Sequence, residues 1–264
     1  MKEQNKKIEY FLQSPFIKKG LWTLLSLLFL LIVWSVVCLI VGNEYLVPDL
    51  IQTLKVAMNL LGETSFWRAV LSTITRSLIA FASSFIIGGG FAVLAYVFPR
   101  FEKFFSPIIS FFRSLPTMAV LLIILLWSNS SIAPIIVAGL VLTPMCYASV
   151  YSSLVRVDKE LIEMSVVYRV PMIKRIKRLY LPSALPSVCG YGARNLSFAL
   201  KLVVSAEIMS NTFQSIGGEM QFSALYDKTP LLFALTLFVF LSGYLLECLG
   251  LLGCKLFFSG GEKE

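Results

Sequence analysis

The sequence contains no histidine. That removes the commonest general base and metal ligand, and argues against a zinc centre or a serine–histidine hydrolase. No Gly-Lys dipeptide occurs either, so there is no Walker A phosphate loop and the chain cannot bind ATP in that way. Charge is scarce: 14% of the 264 residues are charged, where a soluble domain carries about 25%. The five cysteines (Cys38, Cys146, Cys189, Cys248, Cys254) form no C-x-x-C pair and lie in or beside apolar stretches. They read as small buried hydrophobes, neither disulfides nor metal ligands. No internal repeat, low-complexity segment or linker divides the chain.

What is abundant is apolar surface. Hydrophobic residues make up 57% of the chain and the mean hydropathy is +0.81. A net charge of +8 would suit a nucleic-acid partner, but the charges are scattered between apolar segments and cover no single face. Positive-inside bias explains them more simply. The reading is an all-α, multi-pass membrane protein whose partner is the lipid bilayer and not nucleic acid.

Residues 1–20 are polar and basic and read as a cytoplasmic N-terminal segment; residues 21–258 form one transmembrane domain, and 259–264 a cytoplasmic tail. Leu21 to Gly42 is 22 residues without a charge, enough to cross a core that needs about 20. It is too long for a secretory signal and is read as a retained first span. Between Asn43 and Arg68, Pro48-Asp49 opens a helix with Leu50, Leu54, Ala57, Met58 and Leu61 on its apolar side, lying along the outer surface. The second span runs from about Ala69 to Phe98, with Arg76 near its start and Gly88-Gly89-Gly90 permitting close helix approach. Pro99 to Ser106 reads as a short basic turn. Ser114 to Val155 is 42 residues without a charge, read as two spans folded back at Ser128–Ser131 and kinked or bounded by Pro116, Pro134 and Pro144. Ser187 to Ile208 is the weakest span, interrupted by Arg194, Asn195, Lys201 and Glu207. Gly217-Gly218 makes an outer loop, and Thr229 to Cys254 is the last span. This gives six spans with both termini cytoplasmic. Sixteen Lys and Arg then lie inside and three outside, with four in or at the ends of spans, a clear orientation.

The one long polar interruption in the second half is 155–183, with seven basic residues (Arg156, Lys159, Arg169, Lys174, Arg175, Lys177, Arg178) and three acidic ones (Asp158, Glu160, Glu163). Leu154, Val157, Leu161, Met164 and Tyr168 recur at helical spacing. Pro171 stops that helix and starts a second, with Met172, Ile173, Ile176, Leu179 and Tyr180 on its apolar face, ended by Pro182. Such a helix–corner–helix is suited to meet something on the cytoplasmic side.

Glu163-Met164-Ser165 followed by Leu181-Pro182 resembles the "EAA…G…LP" signature of binding-protein-dependent ABC importer permeases. Met164 and Ser165 stand where the family has alanines, and Arg169 where it usually has glycine. Arg113-Ser114-Leu115-Pro116-Thr117 resembles an "R-x-x-P" stretch of the sulfonate/nitrate/taurine branch, and Ala206-Glu207 an "A-E" pair near the outer end of its helix. The resemblance covers about Pro48 to Leu251 and implies a type I importer permease in the inner cell membrane. It further implies two permease copies around one path, a solute-binding protein outside, and a cytosolic ATPase dimer carrying the ATP and Mg, with no cofactor on this chain. The ATPase would dock on Glu160, Glu163, Met164, Ser165, Arg169, Pro171, Ile173, Ile176, Leu181 and Pro182. Arg76, Arg113, Arg194, Asn195, Lys201 and Glu207 are the candidates for lining the path of a small solute, which the resemblance implies to be an anion of sulfonate, taurine or nitrate type or a vitamin precursor. Arg194 and Lys201 are seven residues apart, close to two turns, and share a helix face.

Two other classes fit the sequence less well. A stand-alone secondary transporter or channel could use Lys201 and Glu207 for ion coupling, but six spans without an inverted repeat leave little room for it. A membrane enzyme lacks any recognisable nucleophile motif.

Overall fold

A computed structural model describes residues 15–43 and 46–259. The expected cytoplasmic segment 1–20 and tail 259–264 lie mostly outside the described residues. Among the described residues the chain is helical, with no strand. The helices are α1 (Pro15–Val41), α2 (Leu50–Leu60), α3 (Thr64–Val97), α4 (Pro99–Ser114), α5 (Thr117–Leu125), α6 (Ala133–Val155), α7 (Lys159–Val167), α8 (Met172–Arg175), α9 (Leu181–Ser210), α10 (Ile216–Leu225) and α11 (Thr229–Ser259). A π-helical turn, Ile176–Tyr180, joins α8 to α9. Three of them, α3, α6 and α11, are long and apolar enough to cross a membrane; α4 and α5, bent by 86°, make a fourth if counted as one broken span. α9, which carries Arg194, Lys201 and Glu207, falls outside that set.

The bundle is organised on α3. Its buried residues Ala69, Thr73, Ser77, Ala80, Ser84, Gly88, Ala92 and Ala95 recur every three or four positions and lay a stripe of small side chains along its whole length. Small residues let helix backbones approach where no hydrophobic effect drives helices together. α6 and α9 pack on this stripe: Ala80 with Ala138, Leu142, Ala199 and Val203, and Ala92 and Ala95 with Tyr147 and Val150. The Ser84 hydroxyl donates to the Gly139 carbonyl across the α3–α6 seam at 2.9 Å. Gly88 is the tightest point, since a Cβ there would collide with the Thr143 carbonyl and stand 3.0 Å from the Tyr147 nitrogen. Gly89 and Gly90, which the sequence reading grouped with it, meet nothing closer than 3.7 Å.

Several expectations are corrected. The basic turn expected at Pro99–Ser106 is the start of α4: Phe98 is extended (φ −118°, ψ 97°) as a residue before proline tends to be, and Pro99 occupies the first helical turn. Phe101, Phe105 and Ile109 recur at helical spacing and pack against Phe91 and Tyr147. The 42 uncharged residues do not hold two full spans. Pro116 holds Leu115 out of the α region (ψ 129°), and α5 has only 9 residues, about 13 Å of helix. The turn at Ser128–Ser131 is where it was expected. Pro182 does not end the second loop helix, because α8, the π turn and α9 run on without a break. Pro182 falls in the first turn of α9, and the Leu181 amide donates five residues back to the Ile176 carbonyl. The extra residue in that turn accommodates a ring that has no N–H and would clash with the preceding carbonyl. Gly217-Gly218 is not a loop but the first turn of α10, capped by Ser215, whose hydroxyl accepts from the Gly218 amide at 2.9 Å. Of the apolar side expected on α2, Leu50 and Ala57 are half-buried and Leu54, Met58 and Leu61 are exposed, while the inward face is made by Thr53, Val56, Ala57 and Leu60.

Candidate functional site

The loop after α6 has two short helices and a corner. Asp158 caps α7 by accepting from the Glu160 amide at 2.9 Å, the role for which a short carboxylate at that position is favoured. At the other end, the Val170 amide donates to the Ser165 carbonyl at 3.0 Å and the Arg169 amide to the Val166 carbonyl at 2.9 Å. This crossed pair is a Schellman cap, which needs a left-handed residue. That residue is Arg169, at φ 51°. Glycine reaches this region freely, whereas a side chain costs about 1–2 kcal/mol. Arg169 is the position at which the resemblance to the importer signature has glycine, so the substituted residue keeps the corner and bears its strain. Arg175 steadies the corner by donating from Nε to the Val170 carbonyl at 2.9 Å.

The surface of this hairpin is unusual for a folded chain. No side chain of α7, α8 or the π turn is buried. Glu160, Glu163, Met164, Arg169, Pro171, Ile173, Ile176, Leu181 and Pro182 are exposed; Ser165 is half-buried, its hydroxyl donating to the Ile162 carbonyl. Val167 is 78% exposed and Ile173 70%. Of the stripe expected in the first helix, Val157 alone is buried.

The candidates for the path do not form one site. Glu207, on α9, is fully buried and accepts from Arg76 Nη1 at 2.9 Å, from the Thr73 hydroxyl at 2.9 and 3.2 Å, and from the Gly217 amide at 3.2 Å. The Thr73 hydroxyl in turn accepts from the Ile216 amide at 3.0 Å. A charge this deep is tolerable only when paired and hydrogen-bonded. Here the partners come from α3 and from the N-terminal turn of α10, where backbone amides favour a carboxylate. Gly217 is required: a Cβ there would collide with Cβ of Glu207 and lie 2.6 Å from the Val204 carbonyl. The cluster locks α3, α9 and α10 together at the end opposite the 155–183 loop. Among the described residues, Arg76–Glu207 is the sole ion pair.

Asn195 also faces inward, donating to Ser149 Oγ at 3.3 Å and to Cys146 Sγ at 3.7 Å on α6. Arg194 and Lys201 are on the exposed side of α9. Lys201 Cε lies 3.9 Å from where a Cβ on Gly243 of α11 would stand. Arg194 sits 5.6 Å from the centroid of the Tyr191 ring, and Arg156 Nη1 donates to the Tyr191 hydroxyl at 3.2 Å, so two guanidiniums flank one tyrosine. Arg113, exposed at the end of α4, reaches the Pro144 carbonyl at 3.4 Å. The sequence reading missed Thr73 and Tyr191. Thr73 is one turn before Arg76 on the same helix face, which was a usable signal; nothing in the sequence pairs Tyr191 with Arg156.

Long apolar helices packed on α3, a broken helix pair and an exposed helical hairpin define an all-helical bundle with helices of membrane-spanning length. Among solved structures, an inward-facing MetNI methionine ABC transporter matches with a TM-score of 0.64 at 18% identity, covering 73% of this chain and 95% of that one. An amino acid ABC transporter solved with histidines matches with a TM-score of 0.63 at 13% identity, covering 78% and 98%. The chain belongs to the binding-protein-dependent transport system inner membrane component family, whose model matches residues 84–251. Family membership makes it a non-enzymatic transport subunit. It is also similar to the formylaminopyrimidine transport permease protein ThiX of Halalkalibacterium halodurans, with 26% identity over 165 residues, 62% of this chain and 65% of that protein. The chain thus spans just under two thirds of that relative's length.

Proposed function

We propose that this chain is the path-forming subunit of an ATP-driven importer and that the 155–183 hairpin receives a cytosolic ATPase dimer. The observation that carries this is the hairpin itself, whose helices α7 and α8 and π turn have no buried side chain and hold Leu161, Met164, Val167, Tyr168, Met172 and Ile173 in the open. Exposed apolar surface rimmed by charge marks an interaction site. ATP and Mg would be held by that partner. α1, α3, the α4–α5 pair, α6, α9 and α11 make six crossings with the hairpin inside the cell, in keeping with the excess of basic residues there. Two copies would enclose the path, and a solute-binding protein would deliver the solute to the α10 side. Closure of the ATPases would pull on the hairpins, whose α8 runs straight into α9, and so rock the bundle between inward- and outward-open states.

For the solute, the exposed cations of α9, Arg194 and Lys201, favour a small anion. A charge near the bilayer centre costs at least about 2.5–3.5 kcal/mol, so this face turns to a watery path or a partner span, not to lipid. A second reading, an aminopyrimidine-type vitamin precursor, is favoured by the likeness to the formylaminopyrimidine permease. Uptake by Lys201→Met separates them. Under the anion reading the variant assembles and keeps its basal ATP hydrolysis, but needs more solute for half-maximal uptake. Unchanged anion uptake by the variant removes Lys201 from the path, whereas uptake of the heterocycle and not of anions by the parent overturns the anion reading and leaves the second.

A further inference from the structure

We infer that α2 is an interfacial helix, seated in the bilayer surface at the end of the bundle opposite the 155–183 hairpin, with lipid as the occupant of its outward apolar face. At 3.6 residues per turn, successive side chains step by about 100°, and α2 divides into three sectors. Thr53, Val56, Ala57 and Leu60 fall within one arc and are buried or half-buried. Ile51, Leu54, Met58 and Leu61 fill the next arc and are exposed, Met58 by 70%. Gln52, Lys55 and Asn59 occupy the third and are also exposed. A helix between protein and water needs two sectors, so a third that is apolar and open requires an apolar medium. A helix lying in the plane of a membrane interface, against a protein, meets all three.

The depth agrees. Leu60 packs against the cluster that includes Phe66 and Leu235 and lines one groove with Leu231 and Leu235, which are two and six residues into α11. That places them about 3 and 9 Å along its axis, within the roughly 5–10 Å to which interfacial helices sink. Asn59, Glu63, Glu219 and Lys228 rim the groove between α2 and α11, so polar groups border it. Trp67 stands half-exposed beside the helix, its indole donating to the Leu61 carbonyl at 2.9 Å, as amphipathic rings do at headgroup level. The outward sector continues into Trp67 and Leu71 on α3, which is 67% exposed. Lipid is therefore favoured over a protein partner, which would have to cover the flank of a span as well.

The test is site-directed spin labelling of the full chain reconstituted in phosphatidylglycerol–phosphatidylethanolamine vesicles, with the five native cysteines replaced. Single labels go at Met58, Leu54 and Asn59, all exposed positions where a label disturbs no packing. The expected result is a ratio of oxygen to aqueous nickel accessibility severalfold higher at Met58 and Leu54 than at Asn59. Leu54 carries the expectation if the Met58 variant fails to assemble. Nickel accessibility at Met58 and Leu54 equal to that at Asn59 would mean a face open to water. Shielding from both reagents would mean a second copy or another protein covers it. Either outcome overturns the assignment. Neither bears on whether an ATPase docks at the far end.

Discussion

Replacing Glu207 with alanine removes the centre of the lock between α3, α9 and α10. The carboxylate is fully buried and Arg76 is only 13% exposed. The variant therefore leaves a nearly buried guanidinium without its counter-charge, and the Thr73 hydroxyl and Gly217 amide without their acceptor. Breaking one side of a buried pair costs about 3–5 kcal/mol, and a buried donor left unsatisfied adds about 1–3 kcal/mol. For a chain of this size the ion-pair loss alone corresponds to a fall in Tm of roughly 6–20 °C. The assay is thermal unfolding of the purified protein in detergent, followed by size-exclusion. The double variant Arg76→Met/Glu207→Met is the control, since exchanging a whole buried pair for apolar groups is often neutral. A Tm for Glu207→Ala within about 2 °C of the parent, less than 1 kcal/mol, would refute the lock. So would a double variant no better than the single.

Arg169→Gly should relieve the left-handed corner and stabilise α7 by about 1 kcal/mol. Hydrogen exchange of the α7 amides should then slow about fivefold; Arg169→Val should do the opposite. Gly88→Ala pushes a methyl into the Thr143 carbonyl and toward the Tyr147 nitrogen. It should cost about 1–3 kcal/mol by overpacking, whereas Gly90→Ala, with nothing within 4 Å, should be neutral or stabilising in the same unfolding assay.

The sequence made the membrane class, the second and last spans and the hairpin with its corner legible, because each rests on a strong local signal: a long uncharged run, or helical spacing closed by Pro171. What it concealed depends on partners far along the chain. Pro182 reads as a stop because proline breaks helices, yet the π turn Ile176–Tyr180 absorbs it. Phe101, Phe105 and Ile109 lie under a basic run, and the charges hid their spacing. On α2 the longest apolar residues mark the outward face, since the inward face needs only Thr53, Val56, Ala57 and Leu60 to fit against α11. The candidate path was read as one group from polar residues in or beside apolar spans and from the resemblance. Charge does not say that Arg76 faces Glu207 from 131 residues away, or that Asn195 turns inward while its neighbour Arg194 turns out.

The most direct test of the account is whether ATP hydrolysis travels with the chain through Glu163. The chain has no Gly-Lys dipeptide, so hydrolysis co-purifying with an affinity-tagged copy from native membranes must come from a bound partner. Glu163 is exposed on α7, and a surface substitution away from packing changes stability by no more than about 0.5 kcal/mol. The account predicts that Glu163→Arg inserts and assembles at parental levels while the co-purifying hydrolysis and solute uptake are lost. Parental hydrolysis and uptake in that variant would contradict the docking of an ATPase on this hairpin.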